Sequence, residues 1–179
     1  YYVIIILEII LLLVITSILC FKFKIAYNEM DIFPYARATF ANEFSSKYFL
    51  NFDFPSNFLF NFILGFFISK YDAFSVIIFG RLLSYAMICS SYLYLSKVLK
   101  MKFFVSAMTY ILFLYFFKNG IGDAGEWIVG GLESKVIAYS FCIFSLALFL
   151  KEKYKKGFLF AGIGLSTHLL VGTYHLICL

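Results

Sequence analysis

The stretch YYVIIILEIILLLVITSILCFKF, residues 1–23, decides the fold class. It is rich in Ile and Leu, and a helix of about 20 such residues crosses the roughly 30 Å hydrocarbon core of a bilayer. The run is longer than the core of a signal peptide, and no small-residue cleavage site follows it. We therefore predict that this stretch is a first transmembrane span.

The composition of the whole chain points the same way. Of its 179 residues, 63% are hydrophobic, 22% are aromatic and 14% are charged, with a mean hydropathy of +0.93. A soluble domain needs more polar side chains to cover its surface, which excludes a cytosolic enzyme, a disordered tail and a classical nucleic-acid binder. The net charge of +5 does not imply a nucleic-acid partner, because the lysines lie mostly between apolar runs, where they set topology. The four cysteines lie in apolar runs without C-x-x-C spacing, as core residues do.

The apolar runs predict an all-α, polytopic transmembrane bundle. Five runs are long enough to span, the shorter ones with help from snorkelling lysines, and they cover residues 1–23, 73–99, 103–117, 136–150 and 158–179. The chain starts without Met and ends inside an apolar run. We therefore expect it to be the N-terminal part of one larger membrane domain, cut at both ends.

Two segments are predicted to be interfacial helices, at residues 32–45 and 56–69. The second is apolar but only about 21 Å long as a helix, too short to span. Asn57 and Asn61 share one face of it. An amphipathic helix at the membrane surface should keep both asparagines wetter than Phe58 and Phe62.

Charge fixes the expected orientation. With five spans, one side of the membrane receives two lysine-rich turns, which the positive-inside rule makes cytoplasmic; their lysines are Lys97, Lys100, Lys102, Lys151, Lys153, Lys155 and Lys156. The acidic loops at residues 24–54 and 118–135 then both face outward. A sixth span at residues 56–69 would largely remove this bias.

The outer loops carry the candidate chemistry. The first contains Asn28-Glu29-Met30-Asp31, whose two carboxylates can converge on a cation or a hydroxyl group if the segment is extended or turned. Ordinary solvation, or a helix cap at Asp31, is the alternative. The second loop has five glycines and the acids Asp123, Glu126 and Glu133. The alternative for it is a flexible turn with Trp127 as an interfacial anchor.

Polar residues also lie inside the apolar runs. Arg81 is about 12 Å into its span, where it marks a site or a buried pair unless it snorkels to the outer surface. His168 and His175 are seven residues apart and share a helical face, so they belong either to the core or to a polar cavity. The depth of Glu8 is not fixed by the sequence. There is no H-E-x-x-H motif, Walker A motif or nucleotide-binding fingerprint.

This order of features resembles the GT-C superfamily of membrane glycosyltransferases, which includes the lipid A aminoarabinose transferases, the protein mannosyltransferases and many bacterial members. The similar stretches are Asn28 to Asp31 with Tyr35-Ala36-Arg37, Pro55 to Ser69, Gly80-Arg81-Leu82, Gly125 to Lys135, and Ser166-Thr167-His168. The first acids read Glu-x-Asp here, where the family often has Asp-Glu or Asp-x-Asp. The Lys that some members place beside the proline is absent, since Asp53-Phe54 precedes Pro55.

The resemblance implies transfer of a hexosyl or pentosyl group from a polyprenyl-phosphate donor, with inversion, at the outer face of the bacterial inner membrane. Glu29 or Asp31 would be the catalytic base. Asp123, Glu126 and Glu133 would bind the substrate or a divalent cation, Mg²⁺ or Mn²⁺. The donor phosphate and substrate would be held by Arg37, Arg81, Lys135 and His168, with Lys47 a further candidate. The rival class is a membrane transporter or lipid-binding scaffold, in which Glu8, Arg81 and His168 line a path.

Overall fold

The computed structural model describes residues 2–21, 36–37, 40, 57–118 and 131–179. Within these ranges the regular structure is entirely helical and forms seven helices. They are α1 (Tyr2–Cys20), α2 (Phe58–Lys70), α3 (Ala73–Val98), α4 (Phe103–Lys118), α5 (Ser134–Phe149), α6 (Tyr154–Thr167) and α7 (Leu169–Cys178). Two of them, α1 with 19 residues and α3 with 26, are long and apolar enough to cross a membrane. The all-helical prediction is confirmed for this part of the chain.

Helix α1 turns its polar residues inward. The stripe that it buries is formed by every fourth residue, Glu8, Leu12, Thr16 and Cys20. Its other faces expose large apolar side chains such as Ile4 and Ile18. Water-soluble proteins rarely expose apolar surface on this scale, so the arrangement suits a helix whose outer surface meets lipid.

Helices α1 and α3 are antiparallel, and their contacts define the two ends of the bundle. The Lys97 ammonium lies 2.8 Å from each carboxylate oxygen of Glu8 and donates its hydrogen bond to Oε1. At the other end the Arg81 guanidinium lies 6.0 Å from the centre of the Phe21 ring. We call these the lysine end and the Arg81 end.

A polar cluster in the apolar interior joins α1, α3 and α4. The Thr16 hydroxyl lies 3.0 Å from the Tyr110 hydroxyl and 3.3 Å from the Cys89 sulfur. The Cys89 sulfur is also 3.3 Å from the Tyr110 hydroxyl. All three residues are fully buried, so the cluster fixes how the three helices meet.

Helix α5 runs parallel to α3, and α6 returns beside α5. Leu132, just before α5, packs on Gly80 near the start of α3. Further along, the rings of Tyr94 and Phe144 stack with centroids 4.7 Å apart. The Ser145 hydroxyl donates to the Gly157 carbonyl at 2.9 Å. Helices α1, α4 and α6 therefore run one way, and α3 and α5 run the other.

The apolar run at residues 158–179, predicted as one span, is divided at His168. This residue has an extended backbone, φ −150° and ψ 105°, and its Nδ1 accepts a hydrogen bond from the Val171 amide at 3.3 Å. Val171 packs with Ala138 and Cys142, the residues that Gly164 also meets. The chain therefore bends sharply at His168, and the expectation that His168 and His175 share one helical face is wrong.

Helix α2 covers the predicted interfacial segment, but its exposure is the reverse of the expected pattern. Asn61 is only 6% exposed, while Phe58 is 41% and Phe62 is 42% exposed. The cause is Gly65, one turn after Asn61. A Cβ there would lie 2.1 Å from the Ala36 carbonyl oxygen, so Ala36 lies directly on this face. The prediction that the asparagines are the wetter residues is wrong.

Candidate functional site at the Arg81 end

The site is organised by close packing of the start of α3 against the residues that lead into α5. A Cβ added to Gly80 would lie 2.6 Å from the end of the Leu132 side chain, so the α3 backbone and Leu132 are in close contact here. Arg81 and Glu133 directly follow these two residues in the chain. The packing therefore places both charged residues at the same level of the bundle.

Glu133 and Lys135 form an ion pair at this level. The Lys135 ammonium lies 2.8 Å from Glu133 Oε2, and the two side chains are 12% and 9% exposed. Glu133 occupies the N-cap position of α5, with φ −133° and ψ 147°, but its side chain makes no capping hydrogen bond to the described first turn. Helix capping therefore does not explain the carboxylate.

Arg81 is the most deeply buried cation of the described residues, with 1% of its surface exposed. This burial excludes the alternative in which the side chain snorkels to the outer surface. A buried guanidinium requires compensating partners, because an uncompensated charge in such a place is costly. Arg81 lies at the same level of the bundle as Glu133, with its guanidinium 6.0 Å from the centre of the Phe21 ring of the segment that follows α1.

His168 lies at the same end of the bundle, where α6 stops. Helix α6 is antiparallel to α5, so its C-terminus is level with the beginning of α5. The hydrogen bond from the Val171 amide gives His168 a local role as the N-cap of α7. The sequence analysis did not predict that His168 caps a helix.

The remaining predicted site residues have different outcomes. Arg37 is exposed and follows Ala36, which packs on α2. The residues that lie outside the described part of the chain, and so stay predictions, are Glu29, Asp31, Lys47, Asp123 and Glu126. Among the described residues, no three His, Cys, Asp or Glu side chains are grouped so that they could hold a metal ion.

An apolar groove of about 570 Å³ lies in the same half of the bundle, and Gly80 and Leu132 are among the residues that line it. It runs between α2, α3, α5 and α6, and its walls include Phe60, Leu64, Val76, Leu83, Leu132 and Ile163. A second cavity of about 320 Å³ shares Met87 and Phe141 with it and continues toward the middle of the bundle. Leu132 therefore links the end of the groove to the ion pair that follows it.

The sequence did not predict two features of the structure: this groove, and the ion pair of Glu8 with Lys97 at the lysine end. Four helices line the groove, and no local sequence pattern predicts which apolar residues line a gap between helices. The pairing of Glu8 with Lys97 joins positions 89 residues apart. The sequence showed an acid and a base inside apolar segments, but it did not show that the two form a pair.

No family model, no curated protein and no solved structure matches this chain.

Proposed function

We propose that this chain is part of an integral-membrane glycosyltransferase that moves a sugar from a polyprenyl-phosphate donor to a hydroxyl acceptor outside the membrane. The observation that carries the proposal is the junction at residues 132–135. There Leu132, which lines an apolar groove of about 570 Å³, is followed in the chain by the buried Glu133 carboxylate, which pairs with the Lys135 ammonium. The Arg81 guanidinium lies at the same level of the bundle. A polyprenyl phosphate has the matching chemistry, with a long apolar tail and an anionic head.

In this account five spans cross the cell membrane, and the acidic loops face outward. The alternating directions of α1, α3, α4, α5 and α6 support this arrangement, since successive spans must alternate. Lysines at the ends of the shorter helices can snorkel to the interface. Helix α7 folds back at the Arg81 end.

The reaction follows from these placements. In this proposal Arg81 and Lys135 hold the donor phosphate, and their charge stabilises it as the leaving group. Glu29 or Asp31 takes the proton from the acceptor hydroxyl, whose oxygen attacks the anomeric carbon as the bond to phosphate breaks, with inversion. Glu133, oriented by Lys135, contacts the sugar or acceptor. Mg²⁺ or Mn²⁺, if bound by the outer-loop acids, would supply further positive charge at the phosphate.

The rival account, a transporter or lipid-binding scaffold, fits the charge distribution less well. A transport path needs polar groups near the middle of the membrane. The described ion pairs lie toward the two ends of the bundle, and residues 82–96 of α3 contain no charged side chain.

The test is a transfer assay. Purified full-length protein is reconstituted in vesicles with a panel of polyprenyl-phosphate sugars, and release of polyprenyl phosphate is followed by mass spectrometry. We expect release with one donor class, dependent on an acceptor. A protein that binds these donors and releases nothing across acceptor classes would favour the scaffold account.

A further inference from the structure

The lysine end of the bundle carries its own surface, distant from the site at the Arg81 end. It is built from two turns, residues 97–102 between α3 and α4 and residues 151–156 between α5 and α6. The Lys151 ammonium lies 5.2 Å from the centre of the Tyr94 ring, close to the end of α3. The two turns are therefore neighbours, although 48 residues of sequence lie between them.

The two turns are built in the same way. Each ends a helix with one residue at positive φ, Lys100 at 57° and Glu152 at 58°. Each is closed by a backbone hydrogen bond of 2.9 Å, from the Met101 amide to the Ser96 carbonyl and from the Lys153 amide to the Leu148 carbonyl. This is the Schellman arrangement, in which glycine normally holds the left-handed position. The turns are thus defined structures that present their side chains in fixed directions.

The turns concentrate positive charge. Together they hold seven lysines and one acid, Glu152. Lys97 is paired with Glu8, and Lys151 faces the Tyr94 ring. The other five lysines are exposed; this lysine surface consists of Lys100, Lys102, Lys153, Lys155 and Lys156.

Local stability does not account for these lysines. Lys100 occupies a backbone conformation that glycine adopts at lower cost. Lys155 and Lys156 lie in the first turn of α6, where the helix dipole disfavours a positive charge. These lysines therefore lower the local stability of the turns that carry them, and a bound anion would offset that loss.

Exposed apolar side chains lie among the lysines, and they indicate which kind of anion would bind there. Leu99 is 53%, Leu150 is 52% and Tyr154 is 56% exposed. They continue the exposed apolar surface of the helices up to the charged turns. A partner that meets both must be apolar on one side and anionic on the other, as a phospholipid is.

We propose that the lysine surface binds the headgroups of anionic phospholipids, with Leu99, Leu150 and Tyr154 against their upper acyl chains. The proposal is independent of the glycosyltransferase assignment, because none of these residues belongs to the site at the Arg81 end. The positive-inside rule explains why lysines lie on one side of a membrane. The lysine surface adds specific retention of anionic lipid.

The test uses full-length protein in vesicles of phosphatidylcholine and phosphatidylglycerol, extracted in mild detergent, with bound lipids counted by native mass spectrometry. Lysine-surface variants are K100Q/K102Q and K155Q/K156Q. The matched control is K70Q/K118Q, which removes the same charge from the last residues of α2 and α4, at the other end of the bundle. Size-exclusion chromatography and thermal unfolding check that each variant remains folded.

We expect the retained ratio of phosphatidylglycerol to phosphatidylcholine to fall at least about five-fold in each lysine-surface variant, as expected for lysines near an anionic lipid surface. The control should keep the wild-type ratio. Equal ratios in all four proteins would overturn the proposal, as would an equal fall in the control. If one variant unfolds, the other decides the question.

Discussion

The Glu133 carboxylate and the Lys135 ammonium lie 2.8 Å apart, although they are only two positions apart in the sequence. Side chains at such a spacing diverge when both are in a helix. They meet here because Glu133 precedes α5 with an extended backbone, while Lys135 lies in the first turn. The ion pair therefore depends on where α5 begins, and it fixes the orientation of the acid that follows Leu132.

This pairing predicts a coupling between the two residues. Lys135→Gln leaves a largely buried carboxylate without its ammonium partner, and we expect a loss of about 1–3 kcal/mol in the free energy of unfolding. The double variant with Glu133→Gln removes both charges and should recover part of that loss. Unfolding in mild detergent measures the full cycle. Strictly additive effects would show that the two side chains are not coupled.

Gly80→Ala should disturb the packing of Leu132 on α3. A Cβ there would lie 2.6 Å from the end of the Leu132 side chain, which would have to change its rotamer. We expect a destabilisation of about 0.5–1.5 kcal/mol. Gly162→Ala in α6 is the control, because nothing lies within 4 Å of a Cβ at that glycine. Its expected effect on stability is neutral or favourable, by up to about 1 kcal/mol. If both substitutions behave alike, the close packing of α3 on Leu132 is not a constraint.

The polar cluster of Thr16, Cys89 and Tyr110 should stabilise the junction of α1, α3 and α4. Tyr110→Phe removes one hydroxyl and leaves Thr16 and Cys89 with fewer partners. The expected cost is about 0.5–2 kcal/mol in the free energy of unfolding. Tyr115→Phe removes the same atom from a residue that is 66% exposed and should have little effect. Equal free energies of unfolding for the two variants would show that the cluster does not stabilise the junction.

The helix positions could be predicted from the sequence because apolar run length and lysine-bounded ends are local properties. The described helices fall close to the predicted runs, from Tyr2–Cys20 to Ser134–Phe149. The break at His168 could not be foreseen in the same way. Proline is absent there, and histidine acts as an N-cap only because its Nδ1 meets the Val171 amide in this particular bend.

Orientation within the bundle was less predictable than helix position. The asparagine face of α2 looked like a wetted face, yet Gly65 lets another segment cover it. That outcome depends on contact with Ala36, 29 positions earlier, and not on any pattern within α2. The candidate site shows the same difference between single residues, which could be predicted, and their packing, which could not. Arg81 stood out as a charge inside an apolar run and Glu133 as one at the start of such a run, whereas the groove is formed by four packed helices.

The most direct test of the glycosyltransferase assignment is the transfer activity of Glu133→Gln in the full-length protein. This substitution keeps the shape of the side chain and removes the charge. Glu152→Gln is the matched control, since Glu152 is exposed at the lysine end, away from the site. With a donor that the wild-type protein accepts, we predict that Glu133→Gln lowers the rate roughly 10²-fold or more without reducing the amount of protein in the membrane, while Glu152→Gln retains the wild-type rate. Full activity in Glu133→Gln would contradict the placement of the site at the Arg81 end.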